Sequence, residues 1–145
     1  MRLCLQRVKN ARVSADGETI GEIGPGIVVL VGFRHGDEET AIGPAAQKVA
    51  TLRIFEDENG RMNRSLIDLH YSVLVISQFT LYADTRRGRR PSFTEAMEPV
   101  AAEKLYLRMI DTFRSMGVPV ASGRFGAKML VEISNWGPVT LVIDM

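Results

Sequence analysis

The sequence predicts one α/β domain in which mixed β-sheet layers pack against helices. Two continuous apolar, β-branched runs, residues 27–31 and 73–76, are typical of strands covered on both faces. Two longer segments, residues 40–52 and the stretch from Val100 to Phe113, place apolar side chains at helical spacing. Strands that alternate with helices in this way favour one sheet with helices packed over it.

The other elements follow from turn residues. A strand is predicted over residues 1–14 and a second over 19–23, joined by a turn at Asp16-Gly17. Gly24-Pro25-Gly26 predicts the turn before strand 27–31, and Gly117-Val118-Pro119 ends the second helix. We also expect a short strand at 53–55, a turn at 57–60, and two final strands, 129–133 and 139–143, around residues 135–138.

Length and composition indicate one folded domain over residues 1–145. The chain is 46% hydrophobic and 24% charged, and it contains no repeat or long linker. No apolar stretch is long enough to span a membrane, and the N-terminus lacks the features of a signal peptide. Cys4 is the only cysteine and sits in an alternating segment typical of a strand residue. We therefore expect a cytoplasmic protein without a membrane partner.

Charge excludes one class of function and leaves another open. A formal net charge of +1 does not suit a protein that coats nucleic acid through bulk charge. It does not exclude binding of a short piece of nucleic acid by a local cluster of basic residues. One such cluster exists: Arg86, Arg87, Arg89 and Arg90 around Gly88. A solvated basic loop is the simpler interpretation, although arginines this dense suit bidentate pairing with phosphates.

Ser77-Gln78-Phe79-Thr80 follows directly on the apolar strand 73–76. If the chain stays extended, Gln78 and Thr80 share one face and Ser77 and Phe79 the other. Such polar groups either make strand-end hydrogen bonds or line a reaction site.

No residue near this segment in the sequence supplies an obvious base. His35 and His70 lie in predicted loops and there is no GxSxG motif, so a histidine triad is disfavoured. One cysteine and two separated histidines do not make a zinc ligand set. We predict neither a metal nor a cofactor.

Asn135-Trp136-Gly137-Pro138-Val139-Thr140 lies between two predicted strands. Gly-Pro ordinarily marks a turn. The alternative is a cis peptide whose rigidly directed carbonyls face a pocket and reject a substrate by shape.

Taken together, these segments resemble the D-aminoacyl-tRNA deacylases, called D-tyrosyl-tRNA deacylases in older usage. The resemblance covers nearly the whole chain. Its most specific parts are an SQxxL stretch beginning at Ser77 and a GPxT stretch beginning at Gly137. Further similar segments are Gln6-Arg7-Val8, residues 21–26, 52–57, 88–93 and 123–127.

The resemblance implies hydrolysis of the ester between a D-amino acid, or mischarged glycine, and the tRNA 3′ end, as chirality proofreading in translation quality control. It implies a homodimer with sites at the interface, in which a cis Gly137-Pro138 peptide enters the partner's site and excludes L-amino acids. It further implies that the 2′-hydroxyl of the terminal adenosine helps to activate water, and no DNA partner is expected.

The resemblance also assigns residues. Ser77, Gln78, Phe79 and Thr80 line the reaction centre, and Thr80 is the first hydroxyl to suspect if a covalent route exists. Arg7 braces the Gly-Pro segment. Phe125 and Met129 contact the end of the substrate.

The chain departs from the family pattern at Trp136, where the family usually has Asp. An indole donates but does not accept hydrogen bonds, so it cannot replace a carboxylate that anchors a loop. We expect Trp136 simply to pack against its neighbours. The alternatives are packing in the dimer interface and stacking on the terminal adenine. Two alternatives stay open: an RNA-binding module that has lost activity, and a relative that removes a mischarged L-amino acid and has a trans Gly137-Pro138 peptide.

Overall fold

A computed structural model describes all 145 residues as one α/β domain. None of its helices is long and apolar enough to cross a membrane. The elements, in chain order, are β1 (Arg2–Ala15), β2 (Glu18–Ile23), β3 (Gly26–Gly32), α1 (Ile42–Thr51), β4 (Phe55–Glu56), β5 (Met62–Arg64), α2 (Leu66–Leu69), β6 (Ser72–Ser77), α3 (Pro99–Ser115), β7 (Val120–Ser122) and β8 (Met129–Asp144).

The main sheet is built around β1. On one side β1 pairs antiparallel with β8, and on the other with β2 and β3. The β3–β6 and β6–β7 pairs are parallel, so the sheet is mixed, as predicted. Strand β8 pairs only with β1, which leaves its outer edge without a partner strand in this chain.

The two continuous apolar runs are covered on both faces because their side chains alternate between two cores. Val29 and Val75 enter the larger core, which α1 and α3 cover. Val28 and Leu74 enter a smaller core on the opposite face of the sheet. This confirms the prediction for both strands.

The two predicted helices are confirmed. A short 3-10 turn, Glu39–Ala41, leads into α1, and Pro99 begins α3, where its missing N–H costs no helical hydrogen bond. After α3, Gly117 has a φ of +76°, a conformation that glycine adopts readily.

Three short elements were not predicted. They are β5, β7 and α2. The sequence does carry a signal for α2: the Ser65 hydroxyl accepts from the Asp68 N–H while the Asp68 carboxylate accepts from the Ser65 N–H, which forms a capping box. The strand predicted at 53–55 is wrong at its start, because only Phe55–Glu56 is paired.

Two predictions about the candidate segments are also wrong. The chain does not stay extended after β6: residues Phe79–Tyr82 form a 3-10 turn, so the predicted alternation of faces ends at Gln78. The two C-terminal strands are one strand, β8, with a wide bulge in place of a turn. Val8 pairs with Asn135 and Gln6 with Thr140, so residues 136–139 all lie opposite Arg7. The Gly137–Pro138 peptide within the bulge is cis.

Candidate active site

A cavity of about 460 Å³ opens at the end of β6. Its lining includes five residues that the sequence analysis singled out: Ser77, Gln78, Phe79, Phe125 and Met129. Eleven of the 15 lining residues are hydrophobic, which suits a ligand whose buried end is largely apolar.

The end of β6 is held against β3 by one further hydrogen bond. The Gln78 N–H donates to the Val31 carbonyl at 2.8 Å, and the chain then turns into the 3-10 turn. The turn passes close to Gly32, where an added Cβ would lie 2.8 Å from the Gln78 carbonyl oxygen. Glycine at position 32 therefore allows the close approach that sets the direction of Gln78 and Phe79.

Gln78 and Thr80 interact directly. The Gln78 side-chain amide donates to the Thr80 hydroxyl oxygen, and Thr80 itself is exposed beside the cavity and is not among its lining residues. An activated nucleophilic hydroxyl gives its proton to a base, whereas here the hydroxyl accepts a hydrogen from an amide. This arrangement leaves the Thr80 proton free to be donated to a ligand.

The lining of the cavity contains no titratable side chain. His35 lies in a separate polar cleft with Arg34, Asp37 and Glu95, and His70 ends α2 with a φ of +52°. The polar groups that the cavity offers are therefore hydrogen-bonding groups such as Ser77 and Gln78. They can orient a ligand and stabilise developing charge, but they cannot act as a general base near neutral pH.

Tyr106 of α3 supports the wall of the cavity, and sequence reasoning missed it. Its hydroxyl shares one hydrogen between the carbonyl oxygens of Val75 at 2.9 Å and Gly123 at 3.0 Å. Its ring centre lies 5.9 Å from that of Phe125. Burial raises the pKa of Tyr106 to about 12. In the sequence Tyr106 is one more apolar position of an amphipathic helix, and nothing distinguishes its hydroxyl.

Arg7, Gly137 and Pro138 lie apart from the cavity of their own chain. Arg7 is 2% exposed, and its guanidinium donates to the Trp136 carbonyl at 2.9 Å and the Ile54 carbonyl at 2.6 Å. Its third nitrogen lies 3.7 Å from a Glu56 carboxylate oxygen. Gly137 and Pro138 are exposed at the bulge that Arg7 holds from inside.

Two cations lie close to the indole ring of Trp136. The Arg7 guanidinium carbon lies 4.7 Å from the indole ring centre and the Lys9 ammonium 3.4 Å from it. The ring is half-buried against the larger core. The backbone carbonyl of Trp136, rather than its side chain, receives the hydrogen bond that anchors the bulge.

Fold and cavity together define a small α/β protein with an apolar cavity that also offers hydrogen-bonding groups, an arrangement suited to a ligand with an apolar end. Residues 4–144 match the D-Tyr-tRNA(Tyr) deacylase family, and the chain belongs to it. By this membership it is a deacylase, a hydrolase of an acyl bond.

Curated relatives and solved structures agree. "D-aminoacyl-tRNA deacylase" of Thermomicrobium roseum is 55% identical over 99% of this chain and 94% of its own length. The protein of the same name from Aquifex aeolicus is 49% identical over 99% of this chain and 97% of its own length. The solved structure of a "c-Myc DNA Unwinding Element Binding Protein" has a TM-score of 0.93 and 37% identity over 100% of this chain and 99% of its own. A probable eukaryotic D-amino acid tRNA deacylase shares the fold, with a TM-score of 0.85 and 18% identity over 99% of this chain and 98% of its own.

Proposed function

We propose that this protein hydrolyses the ester that joins a D-amino acid, or mischarged glycine, to the 3′ end of tRNA. The observation that carries the proposal is the apolar cavity at the end of β6, whose lining includes Ser77 and Gln78, in a chain that belongs to a deacylase family. An aminoacyl ester needs both kinds of group. An apolar wall holds the amino acid side chain and the adenine ring, and hydrogen-bond donors lie beside the ester carbonyl.

The absence of a base in the cavity supports an RNA-assisted reaction. Ser77, Gln78, Phe79 and Thr80 hold the ester. The donors of Ser77, Gln78 and Thr80 stabilise the negative charge that develops on its carbonyl oxygen, which lowers the barrier without proton transfer by a side chain. Phe125 and Met129 contact the substrate end. The 2′-hydroxyl of the terminal adenosine helps to activate the attacking water. A tRNA that ends in 2′-deoxyadenosine is therefore a poor substrate, and unchanged turnover of that tRNA would refute this route.

Gly137 and Pro138 act as the filter against L-amino acids, and they act in the partner subunit of a homodimer. Two facts support this. Both residues are exposed and neither lines the cavity of its own chain. The free edge of β8 also carries exposed apolar residues, Leu130 and Val142, each 64% exposed. A long free edge strand favours pairing with another chain, and here we assign that chain as a second copy.

Matched D-tyrosyl-tRNA and L-tyrosyl-tRNA test the proposal. Loss of the D-ester at a rate well above that of the L-ester, by a protein that sediments as a dimer, is the expected result. Equal rates for the two esters, or none, would contradict it. Chirality proofreading in the cytoplasm is the role that such selectivity serves.

The alternative from the sequence, an RNA-binding module that has lost activity, is disfavoured by membership of a deacylase family. Trp136 next to Gly137 motivates it, because the resemblance described for the sequence implies Asp at that position. Binding of tRNA without turnover, unaffected by replacing Gln78 or Thr80, would select this rival.

A further inference from the structure

A basic loop stands beside the cavity and takes no part in the function described so far. Its residues run from Asp84 to Ser92, with Gly88 at a φ of +72°. Arg86, Arg87, Arg89 and Arg90 are all exposed. Without these four arginines the formal net charge of +1 would be −3, so the sign of the net charge depends on this loop.

Hydrogen bonds between its first and last residues close the loop where it leaves the domain. The Asp84 N–H donates to the Ser92 carbonyl at 2.7 Å, and the Ser92 N–H donates to the Asp84 carbonyl at 2.9 Å. The Asp84 carboxylate accepts from the Arg86 backbone N–H at 3.0 Å and from its guanidinium at 2.8 and 2.9 Å. Arg86 thus folds the loop and is neutralised by Asp84.

The other three arginines are free to bind a ligand. None of the ten ion pairs of the chain includes Arg87, Arg89 or Arg90. Exposed guanidinium groups without a carboxylate partner are suited to phosphate oxygens, which they bind bidentately.

The loop begins and ends beside the rim of the cavity. Phe93, next to Ser92, packs edge-to-face on Phe79 with ring centres 5.0 Å apart, and Phe79 lines the cavity mouth. Ala96 and Met97, a few residues further on, line the cavity as well. Gly88 lies four residues from Asp84, so the tip of the loop stands at most about 14 Å from its base at about 3.3–3.6 Å per residue.

An apolar, uncharged cavity with a cationic loop at its rim fits a ligand with an apolar end and a polyanionic tail. We propose that Arg87, Arg89 and Arg90 bind the backbone phosphates of the single-stranded nucleotides next to the terminal adenosine. This inference rests on the proposed function and adds the surface that holds the RNA. The short reach of the loop assigns it to the single-stranded end and not to the body of the tRNA.

The test compares two esters of one amino acid. One is D-tyrosyl-tRNA and the other is 3′-O-(D-tyrosyl)adenosine, which has no phosphate. The triple variant Arg87→Gln, Arg89→Gln, Arg90→Gln is compared with a charge-matched control on the helical layer, Lys48→Gln, Lys104→Gln, Arg114→Gln. Retaining Arg86 keeps the base of the loop intact.

For the loop variant we expect the KM for D-tyrosyl-tRNA to rise about tenfold at moderate salt, with kcat within about twofold of wild type. The slope of log KM against log salt should fall by about 2, since three contacts to a single strand contribute about 0.7 each. Hydrolysis of the adenosine ester should not change. An unchanged KM for tRNA, or an equal rise in the control variant, would overturn the inference.

Two further measurements separate this inference from the proposed function. If the wild type hydrolyses neither ester, the proposed function fails, and the loop is then tested by fluorescence anisotropy with uncharged tRNA. Loss of that binding in the loop variant alone still supports the loop as an RNA surface. Blunt duplex DNA of the acceptor-stem sequence, bound as tightly as tRNA and weakened equally by the variant, would assign the loop to duplex DNA and overturn the proposal.

Discussion

Arg7 and Trp136 are joined twice: the Arg7 Nε donates to the Trp136 carbonyl at 2.9 Å, and the guanidinium lies 4.7 Å from the centre of the indole ring. The same guanidinium donates to the Ile54 carbonyl at 2.6 Å. One buried side chain therefore ties the bulge of β8 to the segment before β4. The position of Gly137 depends on a planar fork that only arginine provides.

Arg7→Lys should loosen the bulge. A single ammonium group cannot serve both carbonyls in the same geometry, so we expect the free energy of unfolding in urea to fall by about 1–3 kcal/mol. If Gly137 and Pro138 form the filter, hydrolysis of L-tyrosyl-tRNA should rise relative to the D-ester. Arg12→Lys is the matched control, because Arg12 lies on the same strand but is half-exposed beside Glu132. A cost of less than about 1 kcal/mol is expected there.

Gly137→Ala should disturb the same bulge at the residue that Arg7 packs against. Gly137 has a φ of +130°, and an added Cβ would lie 2.8 Å from an Arg7 nitrogen and 2.9 Å from a Val139 methyl carbon. We expect a loss of roughly 2 kcal/mol or more in stability, together with weaker rejection of L-tyrosyl-tRNA. Gly60→Ala, at a φ of +73° with nothing within 4 Å of the added carbon, shows the cost of a left-handed φ without new contacts. An equal loss in both variants would show that the contacts with Arg7 and Val139 are unimportant.

Thr80→Val tests whether Thr80 is a nucleophile. Because its hydroxyl accepts from Gln78 and meets no base, we expect kcat to fall by only about tenfold, the effect of one lost hydrogen bond. Thr80→Ser should retain nearly full activity. A fall of roughly a thousandfold or more, with an acyl-enzyme visible by mass spectrometry, would instead establish the covalent route.

The rate of ester hydrolysis should show no bell-shaped dependence on pH that belongs to the protein. The cavity lining holds no titratable side chain, so no protein pKa controls the reaction between about pH 5 and 9. Any inflection should also appear in the spontaneous hydrolysis of the same ester, since it comes from the amino group of the substrate. An inflection found only with enzyme, and abolished by His35→Ala or His70→Ala, would show that a histidine participates.

The sequence predicted the main strands and the helices that frame the cavity because their apolar periodicity extends over many residues. It could not predict where Gln78 leaves the extended conformation, since that turn depends on the close approach to Gly32 from a distant strand. The bulge at Trp136 and Gly137 was likewise hidden, because Arg7 and Ile54 hold it and both are remote in sequence. Local pattern predicts elements, whereas long-range hydrogen bonds decide how they end.

Tyr106→Phe should weaken both the fold and the cavity wall. The substitution removes the hydroxyl donor from the Gly123 carbonyl and one of two donors from the Val75 carbonyl, which still accepts from the Gly123 N–H at 3.0 Å. We expect the free energy of unfolding to fall by about 1–3 kcal/mol, and the KM for substrate to rise because Gly123 leads into Phe125. Tyr71→Phe is a suitable control, since Tyr71 packs against Phe55 and its hydroxyl makes no hydrogen bond.

The same variant should change the alkaline stability of the protein. Burial raises the pKa of Tyr106 from 10.0 to about 12, so above pH 10 the unfolded chain loses this proton before the folded chain does. The contribution of Tyr106 is complete below pH 10 and is lost as pH rises towards 12. In urea titrations across this range, the stability of wild type should fall more steeply than that of Tyr106→Phe. Parallel curves for the two proteins would mean that the hydroxyl of Tyr106 ionises as freely in the folded protein as in the unfolded chain.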